Sequence, residues 1–454
     1  MVDHFASVTF VARLRIFVPR IHVVGALQRS VYQIWLRLSG MMAAKHSTGP
    51  EVVGRCYPHA HKAMALAFLF VSCLAIFTNI VYLRQLDFIA YWAAAVMALQ
   101  GNAAGAYDVA AHMAVQNSVA VFHNRMPFAY PPPFLLLLIP FGFLPYAFAA
   151  ALWILTTATA YFAAVRKLLP GSVWLAGAFP PVLVNGMIGQ AGLLLAAIFI
   201  AGIVNLKRRP FIAGLFLGCL VIKPQLAVLL PLAFIAGGQW RAFAGAAVSS
   251  CGLVLLGALF FGADSYLAML HQMPLFVAIA TDGLSGWYKM SSVYAALRFA
   301  GAGSGLAWLY HIAVGVGASA ILWWVWRQPV EMAAKAAVLV TASVLISPYL
   351  YVYDTVILVV PFFWLAARGE NRLLLAILWC IPLLSIGQAL DIEQSLNLAP
   401  AVPIMLLALI FRQLFHAKTR KLLIGSQSPP PLAAWYQAIA RNFSRRASRS
   451  APAD

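Results

Sequence analysis

The sequence predicts an all-α fold, a polytopic bundle of membrane-spanning helices. Of its 454 residues, 63% are hydrophobic and only 9% are charged, and the mean hydropathy is +0.86. Soluble domains carry roughly 25% charged residues, so this composition excludes a soluble enzyme and, outside short tails, intrinsic disorder. The five cysteines include no CxxC pair, and they therefore indicate neither a zinc site nor a disulfide framework.

Runs of apolar residues indicate about twelve transmembrane segments. Crossing the hydrocarbon core takes ~20 apolar residues in a helix, and shorter runs are tolerated where a helix end lines a polar cavity. The expected segments are residues 63–83, 134–165, 172–185, 191–206, 211–222, 226–236, 242–261, 303–326, 333–346, 355–367, 373–389 and 401–414.

The distribution of basic residues indicates that both termini lie on the cytoplasmic side. The net charge is +19, and an even number of spans places most Lys and Arg residues inside, as the positive-inside rule requires. The cations left outside are Arg84, Arg125, Lys223, Lys289 and Arg298. The positive charge therefore indicates topology and contact with an anionic inner leaflet, and no nucleic-acid partner is expected.

Three regions are expected along the chain. Residues 1–62 form a basic N-terminal segment whose mixture of Arg and apolar residues suits a helix on the cytoplasmic face; a transit peptide and a wrongly assigned start are the alternatives. Residues 63–416 form the transmembrane domain. Residues 417–454 form a basic cytoplasmic tail that is expected to be disordered.

Two long outer loops, residues 84–133 and 262–302, are expected to carry function, because pure connections need only short loops. In the first loop, Asp87 has two interpretations: an N-cap for a helix that begins at Phe88, or a general base at the membrane surface. The loop ends in YPPP, where Tyr130 begins a stiff, non-helical approach to the next span. Tyr130 fits an interfacial aromatic belt or a groove for a sugar or prenyl chain, and Arg125 is a candidate phosphate contact.

Polar residues also interrupt the apolar runs. Gln190 lies in the turn NGMIGQAG, where it is either a polar turn residue or a hydrogen-bonding partner for sugar hydroxyls. Lys223, in VIKPQ, is placed against the charge rule and therefore needs a partner, either a carboxylate or a lipid phosphate.

The remaining candidates lie in SPYLYVYD and in the second outer loop. Asp354 is either a helix cap or a secondary acid. Trp287 and Lys289 are suited to stacking on a sugar and holding an anion.

Together these features suit a substrate with a lipid tail and a phosphosugar head. Transfer from such a donor needs a cation for the leaving phosphate and a carboxylate for the proton of the attacking hydroxyl. The sequence contains no GxxxxGK[ST], no strand-borne GxGxxG and no HExxH, so neither a nucleotide cradle nor a metal centre is indicated. No cofactor and no metal are expected.

The order of several motifs resembles glycosyltransferase family 87 across roughly residues 64–415. The motifs are Asp87, Tyr91-Trp92, Gly101, Tyr107-Asp108, the run FAYPPP at 128–133, Pro140, Gly189-Gln190, Lys223-Pro224, Ser347-Pro348 and Tyr353-Asp354. The resemblance implies a GT-C-like fold, a polyprenyl-phosphate-hexose donor (mannose in characterised members), an outer active site and inverting transfer. It also implies that Asp87 is the catalytic base. The long basic N-terminal segment departs from the family pattern.

The resulting prediction is a hexosyltransferase in the cell (plasma or inner) membrane, acting at the outer, periplasmic face on a glycan or glycolipid acceptor. The expected catalytic residues are Asp87 and Asp354. The expected substrate-binding residues are Arg125, Tyr130, Gln190, Lys223, Trp287 and Lys289. A transporter or flippase of a lipid-linked saccharide is the main alternative, although transporters more often show internal repeats. A non-catalytic assembly subunit would leave the long outer loops unexplained.

Overall fold

The computed structural model describes residues 86–119, 126–168, 173–384 and 397–424. Within these ranges every regular element is a helix, and the one β pairing is an isolated bridge between Met290 and Tyr351. This confirms the predicted all-α class. The N-terminal segment 1–62, the expected span 63–83 and Arg125 lie outside the described residues.

The α-helices are numbered here in chain order. They are α1 (Phe88–Leu99), α2 (Val109–Asn117), α3 (Pro133–Gly142), α4 (Tyr146–Leu168), α5 (Val173–Gly177), α6 (Pro180–Ile188), α7 (Gly192–Asn205), α8 (Pro210–Gly218), α9 (Leu230–Ala236), α10 (Trp240–Phe261), α11 (Ala263–Thr281), α12 (Val293–Phe299), α13 (Ser304–Arg327), α14 (Met332–Leu345), α15 (Val359–Ala367), α16 (Arg372–Cys380) and α17 (Ala401–Ile424).

Three helices of the described residues, α4, α10 and α13, are long and apolar enough to cross a membrane. Other apolar helices run for 10–17 residues, which is shorter than the ~20 residues of a full span. The C-terminal helix α17 continues to Ile424, past Ala417, where the tail was expected to begin.

The single span expected at residues 134–165 is wrong, because the structure divides it into α3 and α4. Pro145 lies at the break, where its ring and missing amide hydrogen prevent a helix from continuing. The Trp92 indole N–H donates to the carbonyl of Leu144 across 2.9 Å. The break is therefore held in place by α1.

The two long segments that were expected to be outer loops are mostly helical in their described residues and form part of the bundle. The first contains α1, α2 and a 3₁₀ helix, Ala104–Tyr107, and the second contains α11 and α12. Helix α1 (FIAYWAAAVMAL) is apolar on every side, and Phe88, Ile89 and Ala94 have no exposed surface. A helix that is hydrophobic all round is a buried helix, so α1 is a core element.

Backbone irregularities occur where the polar candidates lie. Helix α8 continues into a 3₁₀ helix, Cys219–Ile222, and another, Pro224–Leu226, precedes α9. A 3₁₀ helix, Val352–Leu358, precedes α15. Non-helical backbone at membrane depth is tolerated only where protein or a water-filled cavity surrounds it. These breaks therefore mark the interior of the bundle as the place where polar chemistry is concentrated.

Close packing of α8 on α10 depends on glycine. A side chain at Gly214 of α8 would clash with the carbonyl oxygen of Ala242, and one at Gly245 of α10 would clash with that of Phe211. Small residues at such a crossing let two membrane helices approach closely.

We expect Gly245→Leu to lower the apparent melting temperature in detergent by about 3–10 °C, because overpacking a helix crossing costs ~1–3 kcal/mol. The matched control is Gly252→Leu on the same helix, because a Cβ at Gly252 meets nothing within 4 Å. Equal melting temperatures for the two variants would contradict this account of the crossing.

Candidate active site

The centre of the site is a buried ion pair. The Lys223 ammonium lies 2.6 and 2.7 Å from the two carboxylate oxygens of Asp354, and only 5% of Lys223 and 2% of Asp354 are exposed. Lys223 lies between the two 3₁₀ helices that interrupt the α8–α9 region. The Asp354 carboxylate also accepts the Tyr351 backbone N–H at 3.3 Å. The structure therefore supplies a carboxylate partner for Lys223, which was one of the two predicted alternatives.

Two tyrosine rings enclose this ammonium group. The Lys223 Nζ lies 5.4 Å from the ring centroid of Tyr130 and 5.4 Å from that of Tyr353, within the range of cation–π attraction. Its distance to the Tyr130 hydroxyl is 3.4 Å. The Tyr107 hydroxyl in turn donates to the Tyr130 carbonyl at 2.8 Å. The region around Lys223 is thus aromatic and tightly packed.

Asp87 is bound by a side-chain amide. The Gln190 Nε2–H donates to Asp87 Oδ2 at 2.8 Å, and the Tyr91 hydroxyl donates to Gln190 Oε1. Although Asp87 occupies the N-cap position of α1, its side chain makes no capping hydrogen bond. The N-cap interpretation of its carboxylate is therefore wrong, and the carboxylate faces the interior network instead.

The surroundings of Asp87 shift the pKa of its carboxyl group in opposite directions. Burial raises the pKa of the carboxyl group above its ordinary value, and the hydrogen bond from Gln190 and the positive charge of Lys289 act in the opposite direction. Burial raises the pKa because it penalises the charged form, and its effect is the largest of the three. The net pKa is raised, which is the direction expected of a general base that works near neutral pH.

Gly189 explains how Gln190 reaches Asp87. Gly189 ends α6 with φ +71°, a left-handed conformation that side chains disfavour. A Cβ at this position would lie 2.8 Å from the Cβ of Phe88. The Trp153 indole N–H donates to the Gly189 carbonyl at 2.9 Å. The α6–α7 turn is therefore pressed against the beginning of α1.

The acid and the ion pair belong to one set of contacts. The ring of Tyr91 meets that of Tyr130 edge-on, with centroids 5.2 Å apart, and Tyr130 borders Lys223. We call these residues the polar network; its members are Asp87, Tyr91, Tyr130, Gln190, Lys223, Tyr353 and Asp354. The structure thus brings together Asp87, Tyr130, Gln190, Lys223 and Asp354 of the predicted site.

The second of the long segments, residues 262–302, lies beside the network. Met290 pairs with Tyr351 in the isolated bridge, and the Ser291 N–H donates to the Leu350 carbonyl at 2.7 Å. Lys289, which precedes the bridge, is exposed and close enough to Asp87 to influence its pKa. This arrangement leaves Lys289 as an accessible cation within electrostatic range of the acid.

Trp287 already has internal partners. Its indole N–H donates to the Ala280 carbonyl at 3.0 Å, and the Arg298 guanidinium lies 4.7 Å from its ring centroid. Its expected role of stacking on a sugar stays a prediction.

Two members of the network, Tyr91 and Tyr353, were missing from the predicted site residues. Tyr91 follows Asp87 by four residues, the spacing that places two side chains on one helix face, and this spacing was the available signal. Tyr353 directly precedes Asp354. Within the described residues no group of three or more His, Cys, Asp or Glu side chains could hold a metal ion.

An apolar groove of about 490 Å³ runs along α13. It is lined by residues of that helix from Trp308 to Trp323, together with Leu232, Ile346 and Pro348. One of these lining residues, Pro348, precedes Asp354 by six residues in the chain. Trp308, Ala320 and Trp323 give the groove an apolar character suited to a hydrocarbon chain.

Comparison with known proteins gives one match. The model of glycosyltransferase family 87 matches residues 128–348. This confirms the family resemblance found in the sequence. The matched range contains Tyr130, Gln190, Lys223, Trp287 and Lys289, whereas Asp87 and Asp354 lie outside it. Neither curated proteins nor solved structures gave a match.

We expect Lys223→Met and Asp354→Leu each to reduce the free energy of unfolding by about 3–5 kcal/mol, because each leaves a buried charge without its partner. The double variant should lose much less, because it buries no charge. Unfolding in mixed detergent would measure this cycle.

Arg368→Met is the control, since it breaks the partly exposed pair with Glu331, whose side chains are 25% and 31% exposed. We expect a loss of about 1 kcal/mol or less there. Additive losses at Lys223 and Asp354 would show that the two side chains are not coupled.

Proposed function

We propose that this protein, whose central residues match glycosyltransferase family 87, moves a hexose from a polyprenyl-phosphate donor to an acceptor hydroxyl at the outer face of the membrane. Mannose is the hexose we expect. The observation that carries the proposal is the Asp87 carboxylate, held by Gln190 and within electrostatic range of the exposed Lys289 ammonium. A base and a cation are the two groups that this transfer needs.

The proposed step is a single displacement with inversion. The Asp87 carboxylate takes the proton of the acceptor hydroxyl while that oxygen forms a bond to the anomeric carbon. The bond from the anomeric carbon to the phosphate oxygen breaks, and its electron pair leaves with the polyprenyl phosphate. A cation near this oxygen stabilises the charge that develops in the transition state.

The two lysines are suited to different parts of this work. Lys223 is neutralised by Asp354 and almost fully buried, so its charge is largely compensated before a donor arrives. Lys289 is exposed and its ammonium lies over the Tyr288 ring, 5.4 Å from the centroid. We therefore propose Lys289 as the main phosphate contact and Lys223 as a cation that supports the site from within. In this proposal Asp354 holds Lys223.

The groove along α13 is the proposed place for the polyprenyl chain. It is apolar, it runs along a helix long enough to span the membrane, and its lining includes Pro348, six residues before Asp354. A chain bound there keeps the lipid in a hydrocarbon environment while the phosphosugar reaches the network.

The decisive experiment is transfer from a radiolabelled polyprenyl-phosphate hexose by purified protein in vesicles, with lipid and glycan extracts as acceptors. We expect Asp87→Asn to lower the rate by about 10²–10⁴-fold, the usual contribution of a positioned base. Asp264→Asn, a change of the same kind at an exposed residue, should leave transfer unchanged. Transfer unaffected by Asp87→Asn would remove Asp87 as the base, and translocation of the donor without transfer would favour the flippase.

The groove can be tested by donor chain length. We expect Ala320→Trp, which fills the groove, to raise KM for a long polyprenyl donor by about tenfold, equivalent to ~1.4 kcal/mol of lost binding. A short-chain donor should be affected little. Ala313→Trp is the control, because Ala313 is exposed on the same helix and does not line the groove. Equal effects on both donors would contradict this location of the chain.

A further inference from the structure

We propose that Gln190 and Tyr91 are positioning residues that hold the Asp87 carboxylate in one orientation and leave one of its oxygens to accept the proton. This inference rests on the proposed role of Asp87 as the base. It differs from the sequence-based expectation, in which Gln190 binds substrate.

The hydrogen bonds from Tyr91 to Gln190 and from Gln190 to Asp87 determine how the Gln190 amide is oriented. A neutral tyrosine hydroxyl has one hydrogen, and Tyr91 donates it to Gln190 Oε1. The Gln190 amide is therefore oriented with Nε2 towards Asp87, where it donates to Oδ2 at 2.8 Å. Among the described residues no group donates to Oδ1. Within the part of the chain that the structure describes, the carboxylate is thus bound through Oδ2 alone.

Tyr91 is fixed by packing and has little access to substrate. Only 2% of its surface is exposed. Its ring meets those of Tyr130, Phe134 and Trp153 edge-on, with centroids 5.2, 5.1 and 5.8 Å away. A hydroxyl held this way has a single geometry, and its hydrogen bond to Gln190 Oε1 orients the amide.

Gln190 is held from its backbone side. Gly189, the residue before Gln190, is fixed by its left-handed conformation and by the hydrogen bond from the Trp153 indole to its carbonyl. Only 9% of Gln190 is exposed. Both of its amide atoms are already occupied by protein groups, so the side chain is committed to Asp87 and Tyr91.

Removing the tyrosine hydroxyl leaves the amide without its orienting partner. The amide can then rotate and present Oε1 to the carboxylate, an arrangement that is favourable only when the carboxyl group is protonated. A protonated carboxyl group cannot act as a base. The predicted consequence is a loss of active enzyme at neutral pH that is recovered at higher pH.

The sign of the pH effect follows from the groups around Asp87. Lys289 and the Gln190 hydrogen bond lower the pKa of the carboxyl group against the effect of burial, and the titratable hydroxyls facing it are those of Tyr91, Tyr146 and Tyr351. Loss of the hydrogen bond from Gln190 removes one of the two effects that lower the pKa of Asp87. The pKa of Asp87 then rises, and the acidic limb of the pH–rate profile moves to higher pH.

We expect Tyr91→Phe to lower kcat at neutral pH by about 10- to 100-fold, because a misplaced reacting group costs up to ~10²-fold. KM for the donor should change less than about twofold, since no substrate contact is lost. The acidic limb should move up by about one pH unit, the scale of one hydrogen bond to a charged group. The measurement is the pH dependence of initial transfer rates with the radiolabelled donor.

Tyr161→Phe is the matched control. Tyr161 is a fully buried tyrosine on α4 whose hydroxyl donates to the Ala176 carbonyl at 3.3 Å, and its removal should leave the pH profile unchanged. Gln190→Glu is the second variant, because it keeps the acceptor for Tyr91 and places a carboxylate against Asp87. It should also move the acidic limb to higher pH. If Tyr91→Phe does not fold, Gln190→Glu decides the question.

The outcomes separate this inference from the proposed function. If Asp87→Asn retains activity, the base assignment fails. If Asp87→Asn is inactive while Tyr91→Phe and Gln190→Glu keep the wild-type kcat and pH profile, only the positioning role is overturned. A rise in KM with unchanged kcat in Gln190→Glu would instead assign Gln190 to substrate binding and overturn the inference.

Discussion

The constraint on which the rest of the site depends is a pair of charges placed inside an apolar bundle. Lys223 and Asp354 lie 131 residues apart in the chain, yet their charged atoms are 2.6 Å apart and almost fully buried. Either charge alone would face a desolvation penalty of several kcal/mol, so neither can be buried without the other. The segments that carry them must therefore come together, and every neighbouring element has to accommodate that meeting.

The accommodation appears in the backbone. Both charged residues lie at or within 3₁₀ segments, Lys223 between two of them and Asp354 inside Val352–Leu358. A regular helix forms all of its backbone hydrogen bonds internally. An uninterrupted helix at these positions would not bring the two charged side chains together. The short helices α8, α9 and α15 are thus the local consequence of placing polar groups in the interior.

Composition and local chemistry predicted a substantial part of this architecture. The low charge content predicted the all-α membrane class, and Lys223 and Asp354 stood out because charged residues are rare in apolar runs. Their pairing could not be predicted, because either a carboxylate or a phosphate satisfies an isolated lysine. The role of Tyr91 was missed for a different reason: a tyrosine in an apolar helix resembles an interfacial belt residue until its hydroxyl partner is known. The burial of α1 was not predicted, because the length of a connecting segment says nothing about which of its residues enter the core.

The two carboxylates of the network differ in how many of their oxygens already accept hydrogen bonds from the described residues. Both oxygens of Asp354 lie within 2.7 Å of an ammonium, so a proton added there would have to displace a strong charge-assisted hydrogen bond. Asp87 has one oxygen bound to an amide and, among the described residues, one without a donor. Two acids in contrasting surroundings are the usual basis for dividing structural and proton-transfer roles. In the proposed function, Asp354 therefore holds Lys223, and Asp87 is the carboxylate that meets the substrate.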